Sequence, residues 1–438
     1  MNKKILNLGC VKGYLPLLLV EAYLFLTLAF FYFGPVQFNI HNEFLFLFLM
    51  VIYHSFFISG YVLAIKLGAL KKLNLEKKYS KYVYWLLFCF GVVGVWAAYR
   101  NIMMMEGITP YDFFENLIRG LTEPGLAYTE RMLNLGDAQA SGNLIFNIIF
   151  ILFGFAKLLF VFYFLYYWSD LGAIKKFIAL IYSFLFISAG LSAGVNSVIF
   201  IFFIFTSISL LVILYERGYI HFRKVLLFSG MLFLMPVTWF GKIMSERGGG
   251  FEYFASTSSL GDISVASGFY LDATSSFVNF LYYSFVWLCY YVTQGYYGFS
   301  LILDLDWKWT YGFGNSEFLQ RQLLMISGVD VSSLTFQAQI DNYWDKSAQW
   351  HSFYGQFAND VGLIGLAFLL FAIGYFFAKV WKSALYDKSF YGLALIPIFV
   401  IMFIFFPANN QVFGYIDTLS YFICVTFLWL LSSKKIRE

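Results

Sequence analysis

Apolar residues recur along this chain in runs of roughly 20, the length of helix that crosses about 30 Å of hydrocarbon. Polar and charged segments separate the runs, so each run predicts one membrane-spanning helix. The ten candidates are Leu15–Phe33, Phe44–Ala64, Val83–Ala98, Leu144–Trp168, Phe177–Leu191, Val198–Tyr215, Val225–Gly241, Val361–Val380, Tyr391–Phe406 and Val412–Leu431. We therefore predict an all-α, polytopic membrane helix bundle with about ten spans.

An eleventh apolar stretch, Phe277–Leu303, is rich in aromatic residues and is interrupted by Gly295 and Gly298. A single crossing here would move every later connection to the other side of the membrane. We expect the stretch either to lie in or re-enter the membrane, or to form two short crossings, which would give twelve spans. Non-helical backbone at that depth must be buried in protein or line a cavity, so a substrate-facing position would suit it.

Lysine and arginine are concentrated in alternate connections, and basic segments of this kind stay in the cytoplasm. They occur at the amino terminus, between the second and third spans, and after the fourth, sixth, eighth and tenth. With ten alternating spans, both termini of this multi-pass protein are cytoplasmic. Two long segments then lie outside, residues 100–142 and residues 243–360, and the second contains the aromatic stretch 277–303.

Composition supports the same assignment. The 438 residues are 61% hydrophobic and only 12% charged, with a mean hydropathy of +0.72, which no soluble globular composition approaches. The apolar runs leave no room for a separate soluble core, so we predict one membrane domain, 1–438, in a lipid bilayer. The net charge of +4 reflects the cytoplasmic lysines and does not indicate nucleic acid as a partner. No cluster has metal-ligand spacing, so no metal or other cofactor is implied.

The long outer segment is acidic, which makes its few basic residues candidates for binding an anion. Arg247 follows Lys242 at the end of a predicted span and precedes three glycines, 248–250, so a permanent cation stands beside backbone that allows close approach. Guanidinium groups bind phosphate oxygens bidentately, as a lipid-linked pyrophosphate would require. The alternative is a snorkelling Lys242 and a surface Arg247 that pairs with Glu246 or Glu252.

Aromatic residues alternate with amides and carboxylates in the same outer segment, a pattern that favours contact with saccharides. Aromatic faces stack on the apolar faces of sugars, while Asp, Asn and Gln bind the hydroxyls. The alternative for any single aromatic is a place in the interfacial belt of a membrane protein. The aromatics are Tyr290, Tyr291, Tyr296, Tyr297, Trp307, Trp309, Tyr311, Trp344 and Trp350.

Three polar residues inside the predicted spans, Glu21, His54 and Lys157, need partners because charge in the hydrocarbon is costly. One interpretation is coupling to an ion or a proton. The other is a structural pair, such as Glu21 with Lys157.

A histidine motif stands just outside the eighth span. In the segment WHSFYGQFANDVGLIG, His351 precedes the Gly362–Gly365 start of that span by eleven residues. An imidazole there suits proton transfer near neutral pH, and capping or hydrogen bonding near the helix start is the alternative. The segment resembles the outer-loop signature of bacterial O-antigen polymerases and ligases. The stretches Gly295–Gly298, Tyr311–Gly314 and Pro407–Gln411 resemble the oligosaccharide repeat unit polymerase (Wzy-like) branch.

The resemblance implies a metal-independent, inverting, GT-C-like glycosyltransferase of the bacterial inner membrane. Such an enzyme joins oligosaccharide repeats carried on undecaprenyl pyrophosphate at the periplasmic face. His351 would position or deprotonate the acceptor hydroxyl, while Arg247 and Arg321 would neutralise charge on the leaving pyrophosphate. The residues predicted to bind substrate are Lys242, Arg119, Arg131, Tyr296, Tyr297, Trp350, Asn359, Asp360, Asn409 and Asn410.

Two other functions stay open. A ligase, which transfers finished chains to lipid A core, would use nearly the same groups, and Ser352, where ligase-like members usually have asparagine, favours the polymerase. A flippase or other transporter predicts inverted repeats and polar groups along many spans, and the chain shows no convincing repeat. The sequence does not decide whether a chain-length regulator or a flippase accompanies the protein.

Overall fold

The computed structural model describes residues 3–67, 79–106, 112–130, 144–192, 194–218, 237–247, 257–266, 277–346 and 348–434. Within them, five helices are long and apolar enough to cross a membrane: Gly13–Phe33, Glu43–Lys66, Ala173–Ser192, Asn196–Glu216 and Phe353–Tyr386. Shorter apolar helices cover Lys81–Ala97, Leu152–Tyr166, Phe390–Phe405 and Ile416–Ser432. The chain is therefore a helical membrane protein, while the number of ten crossings stays a prediction.

Most of the long helices overlap the predicted apolar runs, whereas Phe113–Thr122, 124–130 and Glu317–Ser327 are short helices in the segments predicted to lie outside. In chain order the helices are α1 (Lys3–Phe33), α2 (Glu43–Lys66), α3 (Lys81–Glu106), α4 (Phe113–Thr122), α5 (124–130), α6 (Leu144–Tyr166), α7 (Ala173–Ser192), α8 (Asn196–Glu216), α9 (237–246), α10 (Phe277–Leu301), α11 (Glu317–Ser327), α12 (Phe353–Tyr386), α13 (Phe390–Phe405) and α14 (Ile416–Lys434). The predicted span Val225–Gly241 lies mostly outside the described residues.

The aromatic stretch forms one continuous helix, α10, so it is not two short crossings. Gly295 and Gly298 do not interrupt it. Both glycines are buried, because other segments of the chain pack directly against the helix at these positions. From Tyr283 onward the helix is largely buried, which places it inside the protein.

A small antiparallel sheet departs from the all-α prediction. Its strands are β1 (Val36–Phe38) and β2 (Ile263–Val265), with Val36 opposite Val265 and Phe38 opposite Ile263. The sheet joins the connection between α1 and α2 to the long segment before α10. The predicted topology puts both of these segments outside the membrane.

Close helix packing holds α2 against α12. A Cβ atom on Gly60 would overlap the backbone of Phe371, and one on Gly374 would overlap the backbone of Phe57. Glycines on both helices therefore let the two backbones approach, which is the usual way that helices associate in membranes.

The polar residues inside the helices are paired, although not as Glu21 with Lys157. His54 Nδ1 lies 2.8 Å from a Glu21 carboxylate oxygen, and Lys157 Nζ lies 2.5 Å from a carboxylate oxygen of Asp417 on α14. Glu21 is thus paired with an imidazole and Lys157 with a carboxylate, both within the helix bundle.

Candidate functional site

The turn that carries His351 is held against α10 by side chains of that helix. The Tyr290 hydroxyl donates a hydrogen bond to the Gln349 side chain at 3.0 Å, and the Trp350 backbone N–H donates to the Gln294 side chain at 3.2 Å. Gly295 makes room for the turn, since a Cβ there would lie 2.7 Å from the Ser352 backbone nitrogen. A glycine at position 295 is therefore needed for this close approach.

Ser352 begins α12, and its hydroxyl accepts a hydrogen bond from the Gly355 N–H. The capping residue is thus the serine after His351, so the histidine does not cap the helix with its side chain, whereas the other part of the predicted alternative, hydrogen bonding near the helix start, is seen at its carbonyl. The His351 carbonyl accepts a bond from the Gln356 side chain at 3.2 Å.

The His351 imidazole is buried, with only 5% of the residue exposed. Its Nδ1 would lie 3.3 Å from a Cβ on Gly298, and its Nε2 has no hydrogen-bond partner among the described residues. Burial lowers the pKa of His351 to about 4, and the carboxylates of Asp341 and Asp345 act weakly in the opposite direction. The ring is therefore neutral near pH 7 and carries one unused polar atom.

Arg247 lies at the end of α9, where its N–H donates to the Ile243 carbonyl. Its guanidinium carbon lies 3.6 Å from the centre of the Tyr128 ring, and its Nη1 donates to the Tyr291 hydroxyl at 3.1 Å. Its Nε is buried and has no hydrogen-bond partner within the described ranges. Cation–π stacking on Tyr128 fixes the plane of the guanidinium.

No carboxylate of the described residues pairs with Arg247. Glu246, the expected alternative partner, instead lies 3.7 Å from Lys242 Nζ and accepts a hydrogen bond from the Gly125 N–H at 2.8 Å. Glu252 lies outside the described residues. The pairing of Arg247 with Glu246 is therefore wrong, while its pairing with Glu252 stays a prediction. Within the described part of the chain, the guanidinium keeps donors for another acceptor.

Tyr291 connects Arg247 to the histidine turn. Its ring packs edge-on against the Trp350 indole with centroids 4.9 Å apart, while its hydroxyl accepts the bond from Arg247. The structure thus brings two of the predicted catalytic residues, Arg247 and His351, into one neighbourhood although about a hundred positions separate them. Tyr128, which supports the guanidinium, was missed because no motif surrounds it.

The other basic residues lie elsewhere or are occupied. Arg321 is exposed on α11 and makes no polar contact with the described part of the site. Arg119 pairs with Glu130, and Lys242 donates to the Thr122 carbonyl at 2.8 Å in addition to its pairing with Glu246. Arg131 lies outside the described residues.

Asn359 and Asp360 hold the loop that precedes them. The Asp360 carboxylate accepts hydrogen bonds from the Thr310 hydroxyl at 2.6 Å and from the Gly314 N–H at 2.8 Å. It also accepts from the backbone and side chain of Asn315. The Asn359 side chain bonds to the Phe336 N–H, the Gly314 carbonyl and the Gln337 side chain. Substrate binding by this pair stays a prediction, and in the structure both side chains are already engaged.

The loop between α13 and α14 extends this network. Asn410 donates to the Asn315 carbonyl at 2.8 Å, and the Asn409 side chain accepts from Gln356 at 3.5 Å. Because Gln356 also bonds to the His351 carbonyl, the PANNQ segment is linked to the histidine turn through a single side chain.

The two tyrosines of GYYG face different surroundings. Tyr296 is fully buried among Phe31 and Phe46, with its hydroxyl 3.1 Å from Thr27 Oγ1. Tyr297 donates to an Asp262 carboxylate oxygen at 3.2 Å. Tyr296 therefore packs in the core, whereas Tyr297 reaches a polar cluster beside the site.

That cluster also contains His41, whose Nε2 lies 2.9 Å from the same Asp262 oxygen. Ser258 Oγ lies 3.2 Å from the Tyr297 hydroxyl. No sequence motif singled out His41 or Asp262. The available signal was a histidine in a short connection that the topology places on the same side as residues 243–360.

Comparisons with protein-family models, with curated proteins and with solved structures give no match to this chain. Among the described residues, no group of three histidine, cysteine or carboxylate side chains is arranged to hold a metal ion. The class of the protein, a helical membrane protein with a basic and aromatic site beside one end of α12, therefore rests on its own sequence and geometry.

Proposed function

We propose that this protein is a surface-polysaccharide polymerase that joins oligosaccharide repeats carried on undecaprenyl pyrophosphate. It would act at the periplasmic face of a bacterial inner membrane, with about ten spans in a GT-C-like arrangement and both termini in the cytoplasm. The resemblance of the Trp350–Gly365 segment to O-antigen polymerases motivates the proposal.

The observation that carries it is the position of Arg247. A guanidinium that has no carboxylate partner among the described residues, is stacked on Tyr128 and is bonded to Tyr291 is preorganised to bind an anion. Its neighbour across Tyr291 is the turn of Trp350 and His351. An anion-binding group beside an aromatic residue and an imidazole is what a lipid-linked saccharide pyrophosphate requires.

In the proposed reaction, a hydroxyl oxygen of the acceptor repeat attacks the anomeric carbon of the donor chain. The new carbon–oxygen bond forms as the bond to the pyrophosphate breaks, and the leaving undecaprenyl pyrophosphate takes the electron pair. Configuration at the anomeric carbon is inverted. Arg247 stabilises the charge that develops on the pyrophosphate, and the hydroxyl proton passes to a base.

Of the two roles that the sequence left open for His351, positioning is favoured. Its pKa of about 4 makes the neutral ring a weak proton acceptor at pH 7. Its Nε2, which has no partner in the described parts of the chain, is nevertheless suited to a hydrogen bond with the acceptor hydroxyl. Arg321 would take part only through contacts that α11 makes with bound substrate.

The test uses a deletion strain complemented with the wild-type gene, with Arg247→Ala or with His351→Ala, and displays surface polysaccharide on a gel. The proposal predicts that the wild type restores the ladder of long chains. Both variants should leave core carrying a single repeat. Insertion of each variant is checked by its amount in the membrane fraction.

Other outcomes would point to an alternative function or to another mechanism. Complete absence of repeats on core in the deletion strain would indicate a ligase or a flippase. A normal ladder from Arg247→Ala would remove the guanidinium from the mechanism. A chain-length regulator or a flippase as partner would be detected by co-purification with the wild-type protein.

A further inference from the structure

His41 and Asp262 form an imidazole–carboxylate pair that the proposed mechanism has not used. The two side chains meet at 2.9 Å through His41 Nε2, and 40% of the His41 side chain is exposed, against 16% for Asp262. The described residues give the imidazole no other hydrogen bond. Its Nδ1 is therefore left for a further partner on the exposed side.

The pair is held by several independent contacts. The Asn39 N–H donates to the Asp262 carbonyl at 2.9 Å, directly beside the β1–β2 sheet. The Tyr297 hydroxyl donates to the same carboxylate oxygen that contacts His41, at 3.2 Å. Asn42, in a left-handed conformation, bonds to the Asp304 side chain. Backbone pairing and side-chain bonds thus fix both members.

An aromatic wall links this pair to the turn of His351. The Tyr297 ring packs edge-on against Trp344, with centroids 5.0 Å apart. The Trp344 indole N–H donates to the Trp350 carbonyl at 3.2 Å. Tyr291 and Tyr297 lie on the same helix, about 9 Å apart along its axis, so α10 carries both the contact with Arg247 and the contact with Asp262.

The chemistry of the two histidines differs. His351 is buried, and in the part of the chain that the structure describes no carboxylate accepts a hydrogen bond from its ring. His41 is partly exposed, and Asp262 holds the tautomer that keeps the proton on Nε2 and the lone pair on Nδ1. The carboxylate also stabilises the imidazolium that forms when Nδ1 gains a proton, which is the arrangement used by general bases.

We propose that His41, oriented by Asp262, accepts the proton of the acceptor hydroxyl in the glycosyl transfer, an inference that rests on the proposed function. The O–H bond breaks as Nδ1 takes the proton. The freed electron pair of the oxygen forms the glycosidic bond, and the pyrophosphate leaves with the electrons of the broken bond. His351 then positions the hydroxyl, and His41 removes its proton.

The competing interpretation is structural: the pair only ties the connection after α1 to the segment before α10. His41→Gln separates the two, because the glutamine amide can replace Nε2 as a donor to Asp262 but cannot accept the proton. Asp262→Asn keeps the shape and removes the charge. His221→Gln, which lies in a predicted cytoplasmic connection, is the matched control.

The experiment measures chain elongation by purified full-length protein in liposomes, supplied with undecaprenyl-pyrophosphate-linked repeats. We expect His41→Gln to lower kcat about 100-fold or more with little change in KM, and Asp262→Asn to lower it less. Added imidazole should restore part of the activity of His41→Gly, which loss of a structural tie would not allow. His221→Gln should match the wild type.

A kcat of His41→Gln within threefold of the wild type would overturn the inference and leave the polymerase proposal standing. Failure of imidazole to restore His41→Gly, when that variant keeps the wild-type melting temperature, would also overturn it. If the wild type itself transfers no repeats while a known polymerase does so in the same liposomes, the proposed function fails, and the inference fails with it.

Discussion

The Arg247 guanidinium donates a hydrogen bond to the Tyr291 hydroxyl at 3.1 Å, and this contact ties the end of α9 to the middle of α10. On its other side the Tyr291 ring packs against Trp350, next to His351. One tyrosine therefore sets the spacing between the candidate anion-binding group and the candidate positioning histidine.

Arg247→Ala should lower elongation by about 100-fold or more, because it removes the charge that would meet the pyrophosphate. Arg247→Lys keeps the charge but loses the flat stack on Tyr128. Its elongation rate should lie between those of the wild type and Arg247→Ala. The rate of repeat transfer in liposomes measures both. Lys346→Ala is the matched control, since Lys346 lies in the same outer segment and makes an exposed pair with Asp341. A wild-type rate for Arg247→Ala would contradict the assignment.

Gly295→Ala should destabilise the protein by about 2 kcal/mol or more and abolish activity. Its new Cβ would lie 2.6 Å from the Ala408 carbonyl and 2.7 Å from the Ser352 nitrogen, and backbone cannot move aside cheaply. Gly355→Ala is the control, because its nearest neighbour outside the helix backbone is at 3.6 Å. Thermal unfolding in detergent should show a lower melting temperature only for Gly295→Ala. Equal melting temperatures would mean that the turn does not pack as described.

Asp360→Asn should loosen the loop between α10 and α12. Replacing one acceptor oxygen with an N–H₂ group sets a donor against the donors of Thr310, Gly314 or Asn315, at a cost of about 2 kcal/mol. Limited trypsin digestion should then cut faster after Lys308 or Arg321. Asp306→Asn changes an exposed carboxylate of the same region and should leave the rate of cutting unchanged.

Stability should depend on pH through His351. The unfolded imidazole gains a proton below about pH 6.5, whereas the buried ring does so only near its pKa of about 4. The free energy of unfolding therefore falls as the pH drops through this window, by about 2 kcal/mol between pH 7.5 and pH 5. Melting temperatures of the wild type and of His351→Gln at the two pH values give the difference. An equal pH dependence in both proteins would show that His351 is not buried in the neutral form.

Lys157→Met should destabilise the bundle by about 3 kcal/mol, because it leaves the Asp417 carboxylate without its partner at 2.5 Å. Replacing both residues, as Lys157→Met with Asp417→Leu, should recover most of the loss. The melting temperatures of the wild type, Lys157→Met, Asp417→Leu and the double variant form a double-mutant cycle. A double variant less stable than Lys157→Met alone would mean that Asp417 has another role.

The sequence predicts the long apolar helices well. A run of about 20 apolar residues in hydrocarbon has to pair its own backbone N–H and C=O groups, and a helix does so. The sequence also locates Arg247 and the His351 turn, since charge and an unusual motif mark them. It does not reveal that Tyr291 lies between them, because one tyrosine among many carries no signal until the helix places it. The sequence does not mark His41 as a candidate for a similar reason. Its partner Asp262 is far along the chain, and only the β1–β2 pairing brings the two together.

The contacts of Asn359 and Asp360 could not be predicted either, because they are made with distant segments of the chain. Their motif suggested substrate contact, yet the structure engages both side chains with the preceding loop. Polar residues next to a candidate functional histidine can either bind a ligand or hold a loop. Only the hydrogen-bond partners distinguish the two roles, and partners from distant segments cannot be predicted from spacing.

The most direct test of the central claim is product analysis with purified protein in liposomes and undecaprenyl-pyrophosphate-linked repeats as the only substrate. The account predicts chains of increasing length, with one undecaprenyl pyrophosphate released for each repeat added, and loss of both products in Arg247→Ala. If added lipid A core is required, and finished chains are transferred to it without elongation, the protein is a ligase and the polymerase account is wrong.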